Sequence, residues 1–188
     1  MVIKANKISK KEIAQKLLKK TISQKQAADF YDSLPPVTVS EMLGLWQGDE
    51  FKTGHPLEGL LKLAGWYGKK FDSADEAHAL IFRKDNGQLY AINPALIPIN
   101  LPINKIPKIH RLISAVMKLA KPLISTTKSS ARLREIKYLG VVTGAMVYDK
   151  IAVIDVFRKV DSNTLMGAMD FKNYPSKKTY YFILYRVK

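Results

Sequence analysis

Residues 131–187 read ARLREIKYLGVVTGAMVYDKIAVIDVFRKVDSNTLMGAMDFKNYPSKKTYYFILYRV. Five runs stand out: 131–139, 141–148, 151–160, 164–171 and 179–187. Each is rich in Val, Ile, Tyr and Phe, and Gly, Asp-Lys, Ser-Asn or Pro-Ser-Lys separates one from the next. That composition at that spacing predicts an antiparallel meander. Upstream, a sixth strand runs through Trp46. Two more, 77–83 and 88–92, flank Lys84-Asp85-Asn86-Gly87, whose Asn-Gly marks a tight hairpin. About eight antiparallel strands can close on themselves and leave room for side chains or one small ligand, so the expected fold is mainly β, a barrel.

Helices precede and interrupt it. Ser9 with Glu12 forms a capping box ahead of Ile13 and Leu17, and a second helix covers 24–31 until Pro35-Pro36 forces extension. Thr53-Gly54-His55-Pro56-Leu57-Glu58 predicts a short helix over 55–65 after the first strand, with Pro56 at its first position and Gly65 at its stop. Residues 93–107 carry Pro94, Pro98, Pro102 and Pro107 and read as an extended connector. Ile109, Leu112, Ile113, Val116, Met117 and Ala120 then give an amphipathic capping helix over 109–121. The chain divides into a lysine-rich helical extension (1–29), a segment around Trp46 (30–98), the connector and its helix (99–128), and the meander (129–188) that completes the same barrel.

The 188 residues carry 31 Lys+Arg against 16 Asp+Glu, a net charge of +15, with 47% hydrophobic residues. Such a composition excludes a wholly disordered chain. Absence of cysteine excludes a disulfide scaffold, a thiol nucleophile and iron–sulfur chemistry. Only 6 of the basic residues are Arg, the side chain that pairs bidentately with phosphate and guanine, which argues against nucleic acid as a partner. No apolar run is long enough for a membrane span, and the expected compartment is the cytoplasm. The interval between Asp85 and Glu135 holds no acidic residue, so Lys108, Arg111, Lys118 and Lys121 on the amphipathic helix could face an anionic membrane surface. The ordinary alternative is a helix that caps the sheet with its lysines outward. Oligomeric state is left open.

Several stretches carry a family resemblance. Phe30-Tyr31-Asp32-Ser33-Leu34-Pro35-Pro36, Gly44-Leu45-Trp46-Gln47-Gly48, Thr53 to Leu61 and Gly65-Trp66-Tyr67-Gly68-Lys69 resemble the GXWXG-domain family. Leu133-Arg134 to Gly140, Ala145 to Asp149, Ile154 to Arg158 and Met169-Asp170 resemble the domain of unknown function that usually follows it. The Gly-x-Trp also resembles the lipocalin and fatty-acid-binding-protein superfamily. That likeness implies a Trp plugging the closed end of a barrel, with an Arg from a late strand stacked on it. Gly44, Trp46, Gly48 and His55 are the motif positions, Arg186 is the first candidate for the stacking arginine and Arg158 the second. The inserted helix and the proline-rich connector depart from a simple lipocalin barrel.

With two-residue turns at Asp149-Lys150 and Ser162-Asn163, one face of the meander holds Met146, Tyr148, Asp155, Phe157 and Asp170. Both faces are substantially apolar, so a lumen should cover one and a helix or partner the other. Met146, Tyr148, Asp155, Phe157 and Asp170 are therefore the expected lining of a site for a small hydrophobic molecule, fatty acyl or lipid-like. Asp155 opposite Asp170 would alternatively give a paired-carboxylate enzyme site, one carboxyl raised by the other. His55, His78 and His110 lack metal-ligand spacing, and His55 before Pro56 reads as a structural helix entry; no metal and no cofactor, haem included, is expected. No nucleophile elbow, phosphate loop or dinucleotide fingerprint occurs.

Overall fold

In the computed structural model, residues 8–97 and 123–188 are described. Three capping boxes start the first three helices: Ser9 and Glu12 begin α1 (Lys10–Leu18), Ser23 and Gln26 begin α2 (Gln24–Asp32), and Thr38 and Glu41 begin α3 (Val39–Met42). In each, the hydroxyl accepts from the third backbone N–H and the long side chain reaches back, which satisfies two otherwise orphaned donors.

Eight strands close into an antiparallel barrel: β1 (Gly44–Glu50), β2 (Trp66–Phe71), β3 (Ala77–Arg83), β6 (Ala131–Tyr138), β7 (Val141–Tyr148), β8 (Val153–Asp161), β9 (Thr164–Phe171) and β10 (Tyr180–Arg186). Around the ring the order is β1-β10-β9-β8-β7-β6-β3-β2, and β2 pairs back to β1. β4 (Leu89–Ile92) and β5 (Ser125–Thr126) form a flap hydrogen-bonded to β3 outside that ring. The expected count is right, but its membership is not. β4 is not a stave, and Trp66–Phe71 takes its place. Gly68 and two adjacent lysines hide that strand from an alternation test, and a bulge there breaks its pattern as well. Gly68 is required: a Cβ would stand 1.9 Å from the Trp46 carbonyl oxygen.

Two large cores result, one on each side of the wall, beside a small cluster of Tyr67, Ile81 and Ala91. Trp46, Phe71, Phe82, Leu133, Met146, Phe157, Leu165 and Phe182 fill the interior. Met166, Ala168, Tyr181 and Ile183 point outward and are covered by Ala14 of α1, by Ala27, Phe30 and Tyr31 of α2, and by Ile22 between them. Adjacent pairs such as Leu165/Met166 and Phe182/Ile183 thus serve different cores, the period-2 consequence of a sheet covered on both faces.

Two registers depart from expectation. The β7–β8 turn spans four residues rather than two, so Met146 faces Asp155 and Val147 faces Ile154. A two-residue shift keeps every side chain on its face. At β8–β9 the Ser162-Asn163 turn forms as expected, with Asp161 opposite Thr164, but a bulge at Val160 puts Lys159 opposite Leu165. One extra residue flips everything beyond it. Asp155 therefore faces Met169, and Asp170 faces Ile154 on the outer surface.

The helix expected over 55–65 is regular only as α4 (Leu60–Leu63), because Gly59 at φ 80° breaks it from the turns before. Gly65, at φ 86°, does follow its end. Pro94–Leu96 forms one 3-10 turn. The rest of the connector from residue 98, the amphipathic helix at 109–121, His110 and the membrane-facing candidates Lys108, Arg111, Lys118 and Lys121 lie outside the described residues. No described helix is long and apolar enough to cross a membrane.

Candidate ligand site at the barrel end opposite Trp46

One end of the barrel is plugged. Trp46 is fully buried, and its Nε1 donates to the Met42 carbonyl at 2.6 Å. Arg186 at the end of β10 lies 4.2 Å over the indole and donates to the Leu43 and Glu41 carbonyls, each at 2.6 Å. One guanidinium thus stacks on the tryptophan and satisfies carbonyls at the C-terminus of α3, which have no partner within the helix. Gly44 leaves room for it, since a Cβ there would come within 3.2 Å of the Arg186 guanidinium. Gly48 makes way instead for the Trp66 ring, 2.1 Å from where its Cβ would be. Arg158 is elsewhere: buried on the outer face, 5.4 Å over the Tyr31 ring beneath α2.

Inside the barrel the polar groups are organised around Lys69. Its ammonium and the Asp155 carboxylate are 2.8 Å apart, with side chains only 4% and 2% exposed. Lys69 also donates to the Ala79 carbonyl at 3.0 Å and approaches the Tyr148 hydroxyl at 3.4 Å. Tyr148 donates to the same Asp155 oxygen at 3.1 Å. Burial, and then the Asp155 charge, push the Tyr148 phenol well above its usual range, so it remains a neutral donor. The Phe182 ring under Lys69, 5.1 Å from the ammonium, adds a further favourable contact.

A second polar group orders the loop that follows β1. The Glu58 carboxylate accepts from the backbone N–H of Thr53, Gly54 and His55 and from the Thr53 hydroxyl. These bonds outweigh burial and hold its carboxyl below the ordinary value. His55 Nδ1 accepts from Leu57 N, and the ring stacks on Tyr174 at 5.3 Å and meets Tyr180 edge-on at 5.4 Å. Burial lowers the imidazole to about 4, so it is neutral and structural at pH 7. Glu50 accepts from the Tyr180 hydroxyl and from Gly59 N, and burial raises its carboxyl.

The five expected lining residues are not equivalent. Asp155, Met146 and Phe157 are at most 1% exposed, so none of them borders a space that admits a water molecule. Phe157 is wedged edge-on against Phe71 and Phe182. Asp170 is exposed on the outer face, and the paired-carboxylate site with Asp155 does not exist. Tyr148 alone reaches an open space. A cleft of about 160 Å³ lies at the end of the barrel away from Trp46, lined by Asn93 to Ala95, Thr126, Lys128 to Ser130 and Tyr148 to Ile151. Nearby, Leu57, Leu61, Trp66, Tyr90, Ile97 and Met169 pack half-buried on the interior core. Among the described residues, no three His, Asp or Glu side chains converge as a metal site.

Lys69 is the residue that sequence reasoning passed over. On a strand it shares a face with Phe71, which marks it as a lysine pointing inward; the bulge at Gly68 disguised that parity.

The geometry finds its counterpart among known proteins. The GXWXG protein family matches residues 29–87, the stretch from α2 through the β3–β4 turn. A domain of unknown function (DUF4334) matches residues 129–186, which contain β6 to β10. The chain carries a GXWXG domain followed by a DUF4334 domain. The two halves together make one barrel: the GXWXG part supplies β1, β2 and β3, and the second part supplies the other five staves. A crystal structure of a protein from Thermomonospora curvata is similar to this GXWXG chain at 29% identity and a TM-score of 0.70, over 95% of this chain and 98% of that one. No curated protein matches.

Proposed function

We propose that this GXWXG barrel binds a small hydrophobic molecule, of fatty acyl or lipid-like character, at the end opposite the Trp46 plug. The observation that carries the reading is the cleft that Tyr148 lines, a residue whose hydroxyl is tied to a buried ion pair. A lysine–aspartate pair held at 2.8 Å fixes that side chain, and a fixed wall is what a preformed site requires. About 160 Å³ is less than the several hundred Å³ of typical ligand pockets, so the cleft suits a short chain or a single ring.

A methylene contributes about 0.8 kcal/mol on burial, so a six-carbon chain supplies roughly 5 kcal/mol, which corresponds to a dissociation constant of about 0.2 mM before the cost of association and to weaker binding, millimolar or above, after it. Titration with 1-hexanol, followed by methyl and indole NMR, tests this. Saturable shifts at Ala95 and Ile151, with the Trp46 indole unmoved, are the expected result. Shifts that grow linearly to tens of millimolar, or spread evenly over the protein, overturn it. Native mass spectrometry of freshly purified protein provides the second test, through a co-purifying small molecule.

A further inference from the structure

Three stretches far apart in the sequence are laced together at one corner of the molecule. A parallel bridge between Thr21 and Lys52, with Ile22 N donating to the Lys52 carbonyl at 2.9 Å, sets the chain after α1 against the chain after β1. The Gln24 amide joins both to the β9–β10 loop. Its Nε2 donates to the Thr53 hydroxyl at 2.6 Å and to the Thr179 carbonyl at 3.0 Å, and its Oε1 accepts from Thr179 N at 3.0 Å. Lys178 Nζ adds a bond to the Gly54 carbonyl at 2.9 Å. The lacing gathers six exposed lysines: Lys16, Lys19 and Lys20 in and just after the last turn of α1, then Lys52, Lys177 and Lys178. Among the described residues, none of the six forms an ion pair. The acids on the neighbouring stretches are already engaged. Glu12 closes the capping box, Asp29 pairs with Lys25 and Asp49 with Lys62, Glu50 holds Tyr180 and Gly59, and Glu58 accepts from three backbone N–H groups of its own loop. A helix C-terminus favours cations, which accounts for the three lysines of α1 but not for the three that Gln24 brings to them. Like charges gathered without acids repel one another, and an anionic partner relieves that repulsion.

We propose that this corner docks on an anionic lipid surface. Two observations favour a bilayer over a polynucleotide. All six cations are lysines, hydrated point charges that suit a field of mobile head groups, whereas nucleic-acid phosphates and bases are gripped by the arginine fork. A single-stranded partner also needs an aromatic face for its bases, and the aromatic of the β9–β10 loop, Tyr174, is already stacked on Phe171 at 4.9 Å and on His55 at 5.3 Å. The corner lies apart from the cleft, and the docking does not depend on what the cleft holds.

Vesicle flotation with the full chain tests this, using phosphatidylcholine vesicles with and without about one third phosphatidylserine, at about 50 mM and about 300 mM salt. Binding to the serine-lipid vesicles alone, weakened several-fold by the higher salt, is the expected result. Each lysine near an anionic bilayer contributes about fivefold in partitioning, so Lys20→Gln with Lys52→Gln should weaken binding about 25-fold. Residue 52 makes its bonds to Thr21 and Ile22 through its backbone, so the lacing survives the substitution. Lys137→Gln with Lys188→Gln removes the same charge from exposed positions on β6 and after β10, and should weaken binding less than about threefold. Absence of binding to either vesicle overturns the proposal outright. Equal losses in the two double variants overturn it as well, because net charge and not the corner is then responsible. Tighter binding to single-stranded oligothymidylate than to the vesicles, lost in the Lys20→Gln, Lys52→Gln variant, overturns it by making the partner a polynucleotide. None of these outcomes bears on the hexanol titration, which reads the cleft alone.

Discussion

Replacing Lys69 by Met tests the interior ion pair. The substitution keeps the length of the side chain and removes its charge, which leaves the Asp155 carboxylate with Tyr148 as its remaining side-chain donor, in surroundings where it is 2% exposed. Breaking a buried pair from one side costs about 3–5 kcal/mol, because the surviving charge has lost both water and its partner. For a domain of this size each kcal/mol lowers the melting temperature by roughly 2–4 °C, so a drop on the order of 6–20 °C is expected. Asp155→Leu should cost a similar amount, since it strands an ammonium whose other partners are the Ala79 carbonyl and a phenol. In the triple variant Lys69→Met, Asp155→Leu, Tyr148→Phe no buried charge or orphan hydroxyl survives. It should return to within about 1–2 kcal/mol of the parent, as buried pairs replaced by apolar groups of similar volume do. Urea denaturation with the slope held in common reads all four proteins. A cost below about 1 kcal/mol for Lys69→Met would mean that water reaches the pair, contrary to the exposures on which the reasoning stands. A triple variant as unstable as the sum of the singles would refute it equally, for the partners would not be coupled.

Three further outcomes follow from the geometry. Arg186→Ala should cost about 2–3 kcal/mol, the stacking on Trp46 plus two hydrogen bonds at a partly exposed site. Arg186→Lys should recover less than half of it, since an ammonium cannot fork to two carbonyls and lie flat on an indole; denaturation read by tryptophan fluorescence measures both. Gly68→Ala should abolish folding or nearly so, because its Cβ would meet backbone at 1.9 Å, while Gly48→Ala should leave a folded, weakened protein, because its Cβ would meet only the Trp66 ring, a side chain that is not fully buried and can shift; circular dichroism distinguishes them. For His55 the folded value of about 4 lies below the ordinary 6.5, so its contribution is fully present above pH 6.5 and is lost as pH falls towards 4. That difference is worth about 3 kcal/mol. Subtracting the pH profile of His55→Phe from that of the parent should expose this loss, with Glu50 and Glu58 cancelling; parallel profiles would show that the imidazole is not desolvated.

Much of the barrel was legible. The strands at 77–83, 141–148 and 164–171 have the expected bounds, because each is a run of β-branched, aromatic and aliphatic residues between strong turn signals. The capping box at Ser9 and Glu12 and the helix stop at Gly65 were legible for the same reason: each is local chemistry within four residues. What escaped is non-local or parity-dependent. The lysine that neutralises Asp155 lies 86 positions earlier in the chain. No periodicity within either strand could pair them, and only closure of the ring brings β2 and β8 into reach of one interior.

The bulge at Val160 shows how narrow the margin is between two chemistries. A two-residue turn at Ser162-Asn163 and an unbroken ladder would oppose Asp155 to Asp170, and the sheet would carry two carboxylates on one wall. The turn does form, yet one unpaired residue before it sends Asp170 to the solvent and leaves Asp155 inside, where it can be stable as a charge with Lys69. The same residue also serves packing. With Val160 inserted, Val160 and Met166 both face the helices, and Phe157 and Leu165 both face the lumen. An unbroken ladder would oppose Phe157 to Ala168 and put Phe157 and Met166 on the same face of the wall, forcing one of them off its core. Apolar burial of two large side chains, at roughly 2 kcal/mol each, thus selects the bulged register. The carboxylate arrangement follows from that packing.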